Sequence, residues 1–184
     1  NIYLKKGHLL IAEPSIIGDI NFHRSVILLA NHKEKASLGF ILNKPFDFIL
    51  KDILPEINSS IEVHYGGPVE PDNLYFIHNS PELITGSIKI NEELYWGGNF
   101  EKVIELLNDE SIGENNIRFF LGYSGWGENQ LQNEIELNSW IIQENCIGNK
   151  VININSESFW RKQIRSLGGA YLIWGNAPEN PSHN

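Results

Sequence analysis

The chain has 184 residues, of which 41% are hydrophobic and 20% charged, and this length and composition are typical of one globular domain rather than a disordered segment. Its net charge of −9 disfavours direct binding to nucleic acid, and no apolar run approaches the ~20 residues that span a bilayer. Cys146 is the only cysteine, which excludes an intrachain disulfide and a CxxC motif. We therefore expect one cytoplasmic domain over residues 1–184, without a membrane segment.

Short apolar runs in the first half of the chain predict β-strands. The predicted strands cover residues 9–12, 26–30, 37–42, 62–65 and 73–78, with weaker ones at 87–90 and 93–96. The polar stretch at 32–36 predicts that the second and third strands form a hairpin. A short helix is predicted at 48–54, where Pro55 ends it.

The second half of the chain mixes helices with strands. Helices are predicted at 100–107, 128–137 and 156–167, and strands at 117–123, 140–143 and 151–154. Asn99 is the expected N-cap of the first helix, and Gly168 and Gly169 are expected to close the last one. Residues 175–184 read as an irregular tail. Because helices and strands do not alternate regularly, an α+β fold with a mixed sheet is favoured.

The segment Gly122-Tyr123-Ser124-Gly125-Trp126-Gly127 is the most unusual in the chain, and we expect it to join a strand to a helix. Its glycines permit positive φ angles and close approach of another chain or ligand. Ser124 invites comparison with the G-x-S-x-G nucleophile elbow of hydrolases. That motif fails at its final position, where Trp126 replaces glycine, so a serine nucleophile is disfavoured.

Gln130 and Glu134 are four residues apart and share one face of the helix that follows Trp126. They would either orient a ligand or satisfy backbone groups at a tight turn, and the second role is favoured.

Gly66 and Gly67, followed by Pro68, lie between two predicted strands. They indicate either a backbone-amide cradle for an anion or a tight turn, and the turn is favoured. Asn43 ends the third strand and is expected to cap a turn or reach into a cleft.

No metal or nucleotide site is predicted. The six histidines show neither H-x-H nor H-E-x-x-H spacing, and no Walker A or Rossmann glycine pattern is present. His64 and His78 form the least unfavourable metal pair, on strands expected to be neighbours. The basic group at Arg161, Lys162 and Arg165 is interpreted as complementing the helix dipole.

Several pieces, in order along the chain, together resemble the YqgE/AlgH family of small bacterial proteins. They are residues 7–12, 22–26, 38–45, 65–69, His78, 122–127, Gln130, Leu131, Glu134 and Trp140. The resemblance implies a mixed, strongly bent, pseudo-barrel sheet with helices packed outside. Members often carry the label transcriptional regulator, from an association with alginate production, but the family has no agreed biochemical function. Alanine is common in the family at the position of Ser124.

These observations favour a binding or regulatory module without catalysis or cofactor, with an unidentified protein or small molecule as partner. The expected cleft is lined by Asn43, Gly66, Gly67, His78, Tyr123, Trp126, Gln130 and Glu134. Such mixtures of glycine, aromatic and amide groups suit ligand or peptide recognition. The alternative is a small hydrolase-like enzyme that uses His78 as general base with Glu134 or Ser124, and it requires these groups within hydrogen-bond reach.

Overall fold

The computed structural model describes residues 3–15, 22–33 and 35–176. The strands are β1 Leu9–Ala12, β2 Val26–Lys33, β3 Ala36–Ile41, β4 Pro45–Ile49, β5 Glu62–Tyr65, β6 Val69–His78, β7 Ile88–Lys89, β8 Tyr95–Trp96, β9 Ile117–Gly127 and β10 Trp140–Gln143. The helices are α1 Leu50–Ile53, α2 Phe100–Asn108, α3 Gln130–Glu136, α4 Ser156–Ser166 and α5 Tyr171–Asn176, with a 3₁₀ helix at Gly148–Asn153.

One mixed sheet contains all ten strands, and β9 is its centre. The main path runs β10-β1-β2-β3-β9-β6-β8-β7, while β5 pairs with β9 and β4 with β5. The β5–β9 pair is parallel and the other pairs are antiparallel. The predicted α+β class with a mixed sheet is therefore confirmed. Because β10 and β7 stand at opposite ends of the path, the sheet is not closed into a barrel.

Register irregularities interrupt three strand pairs, at β2–β3, β4–β5 and β6–β9, and such irregularities bend and twist a sheet. Helices cover the sheet and complete its core. Leu107 of α2, Ile135 of α3 and Ile164 of α4 each pack into a different apolar cluster. None of the helices in the described ranges is long and apolar enough to cross a membrane.

The hairpin prediction and the helix-end predictions are confirmed. Strands β2 and β3 pair directly, and the Asn99 side chain accepts a hydrogen bond from the Lys102 amide at the start of α2. Gly168 and Gly169 follow α4 with φ of 69° and 56°, as expected of glycines that end a helix.

Residues 122–127 complete β9, and α3 begins at Gln130, so this segment leads from a strand to a helix as expected. Three details of the predicted organisation are wrong. Residues 151–154 lie mainly in the 3₁₀ helix. An apolar run such as Val151-Ile152 does not by itself distinguish a strand from a helical turn. Strand β4 was not predicted, and α5 occupies the start of the expected tail. The rest of that tail, 177–184, lies outside the described residues.

Candidate functional site

The glycines at 66 and 67 serve a close contact between two backbones. A Cβ on Gly66 would lie 2.2 Å from the Gly122 carbonyl oxygen, and one on Gly67 would lie 2.2 Å from the Tyr123 carbonyl oxygen. The Gly66 amide donates to the Leu121 carbonyl, and its own carbonyl accepts from the Ile41 amide. Since these groups are engaged within the sheet, this geometry supports the structural interpretation over an anion cradle.

Ser124 and Tyr123 of β9 also make internal contacts. Ser124 is fully buried, and its Oγ donates to the Gly66 carbonyl at 3.1 Å. The half-buried Tyr123 ring packs edge-on against Tyr75, with 5.5 Å between ring centroids. Ser124 therefore links β9 to Gly66, and Tyr123 packs β9 against β6.

His78 is fully buried, and its contacts define one tautomer. Nε2 lies 3.0 Å from both the Gly97 carbonyl and Ser87 Oγ. Nδ1 accepts from the Ser80 amide at 3.1 Å, so Nε2 carries the proton. Burial lowers the pKa of His78. The ring is thus a neutral link between β6 and the loops around it.

His64 does not lie beside His78, because β9 separates their strands; the expectation of neighbouring strands is wrong. Its Nδ1 lies 3.2 Å from the Phe119 carbonyl, to which it donates. Its Nε2 is buried without a hydrogen bond, 3.7 Å from a Glu62 carboxylate oxygen. Burial, and then the nearby Arg118 guanidinium, lowers the pKa of His64 to about 3.

Arg118 is a buried guanidinium on β9 that links the sheet to α4. It donates to the Leu42 carbonyl at 2.7 Å, to the Ile152 carbonyl at 3.1 Å and to Ser156 Oγ at 2.8 Å. Burial lowers its pKa to about 10, so it stays charged at neutral pH. Within the described ranges, no group of three or more His, Cys, Asp or Glu side chains could hold a metal ion.

Trp126, Gln130 and Glu134 are brought together at one cavity of about 290 Å³, which we call the tryptophan pocket. Its lining consists of Ala12, Glu13, Phe22, Gly125, Trp126, Gln130, Glu134, Ser139 and Trp140. Gln130 Oε1 accepts from the Gly127 amide at 3.0 Å, which fastens the start of α3 to the end of β9.

One oxygen of Glu134 holds two indoles at the wall of this pocket. Oε1 accepts from Trp126 Nε1 at 3.1 Å and from Trp140 Nε1 at 3.0 Å. Its other oxygen, Oε2, makes no hydrogen bond with the described residues. The Trp126 and Trp140 rings meet edge to face at 6.3 Å, and Phe22 packs edge-on against Trp140 at 5.5 Å. The pocket therefore combines aromatic rings with a carboxylate oxygen, Oε2, that has no hydrogen-bond partner among the described residues.

A second cavity, of about 670 Å³, lies between α4 and the residues that flank β2 and β3. This basic cleft is lined by Arg24, Asn43, Lys44, Pro45, Asn155, Ser156, Glu157, Ser158, Trp160 and Arg161. Asn43 belongs to its wall. The Asn43 side chain accepts from the Val26 amide and donates to the Arg24 carbonyl, both at 2.9 Å. It therefore holds the backbone at the start of β2 against the end of β3 at the edge of the cleft.

The eight predicted site residues do not share one cleft. Three line the tryptophan pocket and Asn43 lines the basic cleft, while the glycines, His78 and Tyr123 make the internal contacts described above. Sequence reasoning did not assign Phe22 and Trp140 to a site, although both belong to the pieces that carried the family resemblance. It also missed that Arg24, Lys44 and Arg161 converge, because no local pattern joins such distant positions.

The three residues of the hydrolase alternative, His78, Ser124 and Glu134, each make hydrogen bonds with other parts of the protein. In the described part of the chain, no hydrogen bond joins any two of His78, Ser124 and Glu134. His78 is paired with Ile117 across the sheet and Ser124 lies seven residues further along β9, a separation of roughly 20 Å at ~3.3 Å per residue. This arrangement offers no support for a shared catalytic centre.

Comparison with known proteins reveals similarity along nearly the whole chain. A family model described as AlgH-like matches residues 9–172. A UPF0301 protein from Cytophaga hutchinsonii is 40% identical, covering 98% of this chain and all of the relative. A UPF0301 protein from Parabacteroides distasonis is 39% identical, with 97% of this chain and 91% of the relative covered.

Two solved structures are similar in fold. A Corynebacterium diphtheriae protein has a TM-score of 0.74 at 19% identity, with 96% of this chain and 94% of the other covered. The AlgH protein from Pseudomonas aeruginosa has a TM-score of 0.73 at 23% identity, with 94% and 93% covered. At these identities, the likeness concerns the fold alone.

Proposed function

Because this chain belongs to the AlgH-like family, which has no established biochemical function, we propose a function from its own pocket geometry. The protein is a non-catalytic binding module, and its tryptophan pocket receives a lysine or arginine side chain of a partner protein. The observation that carries this proposal is the Glu134 carboxylate, held by two indole N–H groups through Oε1, with Oε2 available at the wall of an aromatic cavity.

The chemistry of the pocket favours a cation. An ammonium or guanidinium group is attracted to the faces of tryptophan and phenylalanine rings, and it forms a charge-assisted hydrogen bond with a carboxylate. The volume of about 290 Å³ suits one side chain better than a large ligand. The net charge of −9 adds long-range attraction for a basic partner.

The absence of catalysis is part of the proposal. The described lining of the pocket contains one serine, Ser139, and two carboxylates, Glu13 and Glu134, but no histidine, cysteine or lysine, so it offers no serine–histidine or cysteine–histidine pair. His78, the general base of the hydrolase alternative, donates from one ring nitrogen and accepts at the other. Both observations favour binding over bond cleavage.

We propose a cytoplasmic location, since an exposed lone Cys146 suits a reducing compartment. Any effect on transcription would then pass through a protein partner, because the acidic chain is a poor ligand for DNA.

The proposal is tested with two capped tripeptides, one with central lysine and one with central norleucine, its uncharged analogue. Indole N–H signals in ¹H–¹⁵N NMR spectra report on Trp126 and Trp140 during each titration. We expect saturable shifts of both indoles with the lysine peptide and at least tenfold weaker binding of the norleucine peptide, because the cation–π and carboxylate contacts are lost.

Glu134→Gln keeps the shape and an oxygen acceptor but removes the charge, so lysine-peptide binding should weaken at least tenfold. Glu136→Gln is the matched control, since Glu136 lies on the same helix, is exposed and does not line the pocket. It should change affinity less than twofold. Equal binding of the two peptides, or equal losses in the two variants, would show that the pocket does not recognise a cation.

A further inference from the structure

The basic cleft concentrates positive charge in an acidic protein. Among the described residues of its lining, Arg24, Lys44 and Arg161 are cationic and Glu157 is acidic. The chain as a whole carries a charge of −9. An excess of cations inside a concave site focuses the local field and attracts anions even where the net charge is unfavourable.

The three cations come from separate parts of the chain, and two of them have defined contacts within the protein. The buried Arg24 guanidinium lies over the Trp160 ring, 4.8 Å from its centroid. Lys44 Nζ donates to the His23 carbonyl at 2.6 Å. Arg161 projects from α4 and makes no hydrogen bond or ion pair with the other described residues, so its five N–H donors are available to a ligand.

The remaining lining combines polar side chains with Pro45 and the Trp160 ring, which suits an organic ligand that also carries polar groups. Ser156 and Ser158 contribute hydroxyl groups at the first turn of α4. The Ser158 amide is already capped by Asn155 Oδ1 at 3.1 Å, while the two amides before it have no acceptor within the helix. These two amides would add a minor attraction for an anion to the larger attraction that the three cations provide.

We propose that the basic cleft binds a small organic phosphate, whose phosphate group contacts Arg161 and Lys44. Planar guanidinium groups bind phosphate oxygens in pairs, and lysine adds a point charge. The volume of about 670 Å³ greatly exceeds one phosphate group and lies in the range of sites for small organic ligands. The cleft is separate from the tryptophan pocket, so this proposal does not depend on the proposed function.

Pyrophosphate is the probe, titrated into the full chain at constant ionic strength and followed by amide shifts in ¹H–¹⁵N NMR spectra. We expect saturable binding with the largest shifts at Lys44, Ser156 and Glu157. Arg161→Gln should weaken binding at least tenfold, because it removes charge-assisted hydrogen bonds to the anion. Arg161 has no described partner, so this change should leave the thermal unfolding midpoint within ~2 °C.

Two matched variants separate a specific site from general electrostatics. Lys162→Gln removes the same charge from the adjacent, exposed position, outside the cleft lining, and should change affinity less than twofold. Glu157→Gln removes the acidic group found among the described lining residues and should tighten binding about threefold through reduced repulsion.

Three results would overturn the proposal. They are no saturable binding of pyrophosphate, equal losses in Arg161→Gln and Lys162→Gln, or tighter binding of a ten-nucleotide single-stranded DNA than of pyrophosphate. The first two mean that the cleft is not an anion site, and the third means that it serves a nucleic acid. Lysine-peptide binding to the tryptophan pocket should be the same in wild type and Arg161→Gln, which keeps the two tests distinct.

Discussion

Gly67 and Gly122 face each other so closely that a Cβ on Gly122 would lie 2.3 Å from the Gly67 carbonyl oxygen. One glycine follows β5 and the other lies inside β9, which pairs with β5 in parallel. This contact explains why glycine occurs in both segments: each backbone occupies the space that a side chain on the other would need.

Gly122→Ala should therefore lower the free energy of unfolding by about 3 kcal/mol, since alanine is strained at φ +74° and its methyl group overlaps the Gly67 carbonyl. Urea denaturation measures the loss. Gly127→Ala is the control, because Gly127 lies on the same strand with no atom within 4 Å of the added Cβ. A loss as small as the control's would mean that the close contact is readily relieved.

Glu134→Ala should cost about 2 kcal/mol of folding stability, because it leaves the indole N–H groups of Trp126 and Trp140 without their acceptor. Both tryptophans are buried, which limits replacement by water. Chemical denaturation gives the magnitude, and upfield movement of the two indole proton signals identifies the cause. Glu136→Ala, on the exposed face of the same helix, should have little effect. Unchanged indole signals in Glu134→Ala would contradict the assigned hydrogen bonds.

Stability should fall as the pH is lowered below about 6.5. The pKa of His64 is about 3 in the folded protein and ~6.5 in an unfolded chain, so the unfolded state binds the extra proton between these values. His64 alone therefore lowers the free energy of unfolding by up to ~1.4 kcal/mol for each pH unit below about 6.5, down to about pH 3. Burial of His8 and His78 lowers the pKa of each and acts in the same direction.

The check is urea denaturation of wild type and His64→Asn at pH 8, 6 and 5. At pH 8 the imidazole is neutral in both the folded and the unfolded state, so the difference in free energy of unfolding between the two proteins reflects changes in packing and hydrogen bonding. At lower pH the free energy of unfolding should fall more steeply in the wild type than in the variant, because the variant lacks the buried imidazole at position 64 and keeps those of His8 and His78. Parallel pH profiles would show that His64 does not resist protonation.

Arg118→Lys should destabilise the fold by about 3 kcal/mol despite the retained charge. A lysine ammonium cannot reach all of the acceptors that the guanidinium bridges on Leu42, Ile152 and Ser156, and two of these acceptors, the Leu42 and Ile152 carbonyls, belong to buried residues. Thermal and urea unfolding both measure the effect. Arg165→Lys, at an exposed position on α4, provides the comparison and should be close to neutral. Equal stability of the two variants would mean that the Arg118 bridge contributes little.

Local signals predicted individual elements well. The Asn99 cap and the apolar stripe behind it predicted α2, and paired glycines predicted the end of α4, because these features depend on neighbours within a few residues. The same reasoning was wrong at 151–154, where buried Val151 and Ile152 suit a strand or a 3₁₀ turn equally. Whether a short apolar run forms a strand or a helical turn depends on the residues that pack against it, and these are distant in the sequence.

The sites depended on longer-range relationships. Sequence spacing placed Gln130 and Glu134 on one helical face, and the structure places both at the tryptophan pocket. Spacing did not indicate that Trp140 would share Glu134 with Trp126, because this contact requires β10 to pair with β1. Likewise, His64 and His78 are separated by β9, a strand that follows both of them in the chain.

The sequence by itself determined the α+β class, most strand and helix positions and the family, since each is written in residue order and short-range periodicity. Only the tertiary structure decided that residues 66–67 and 122–123 meet in a close backbone contact and which charges meet in the basic cleft. Arg24, Lys44 and Arg161 are distant in sequence, and their convergence follows from strand pairing and the packing of α4. The physical reason is that a binding site is a property of long-range packing, whereas a helix or strand is largely specified by its own neighbours.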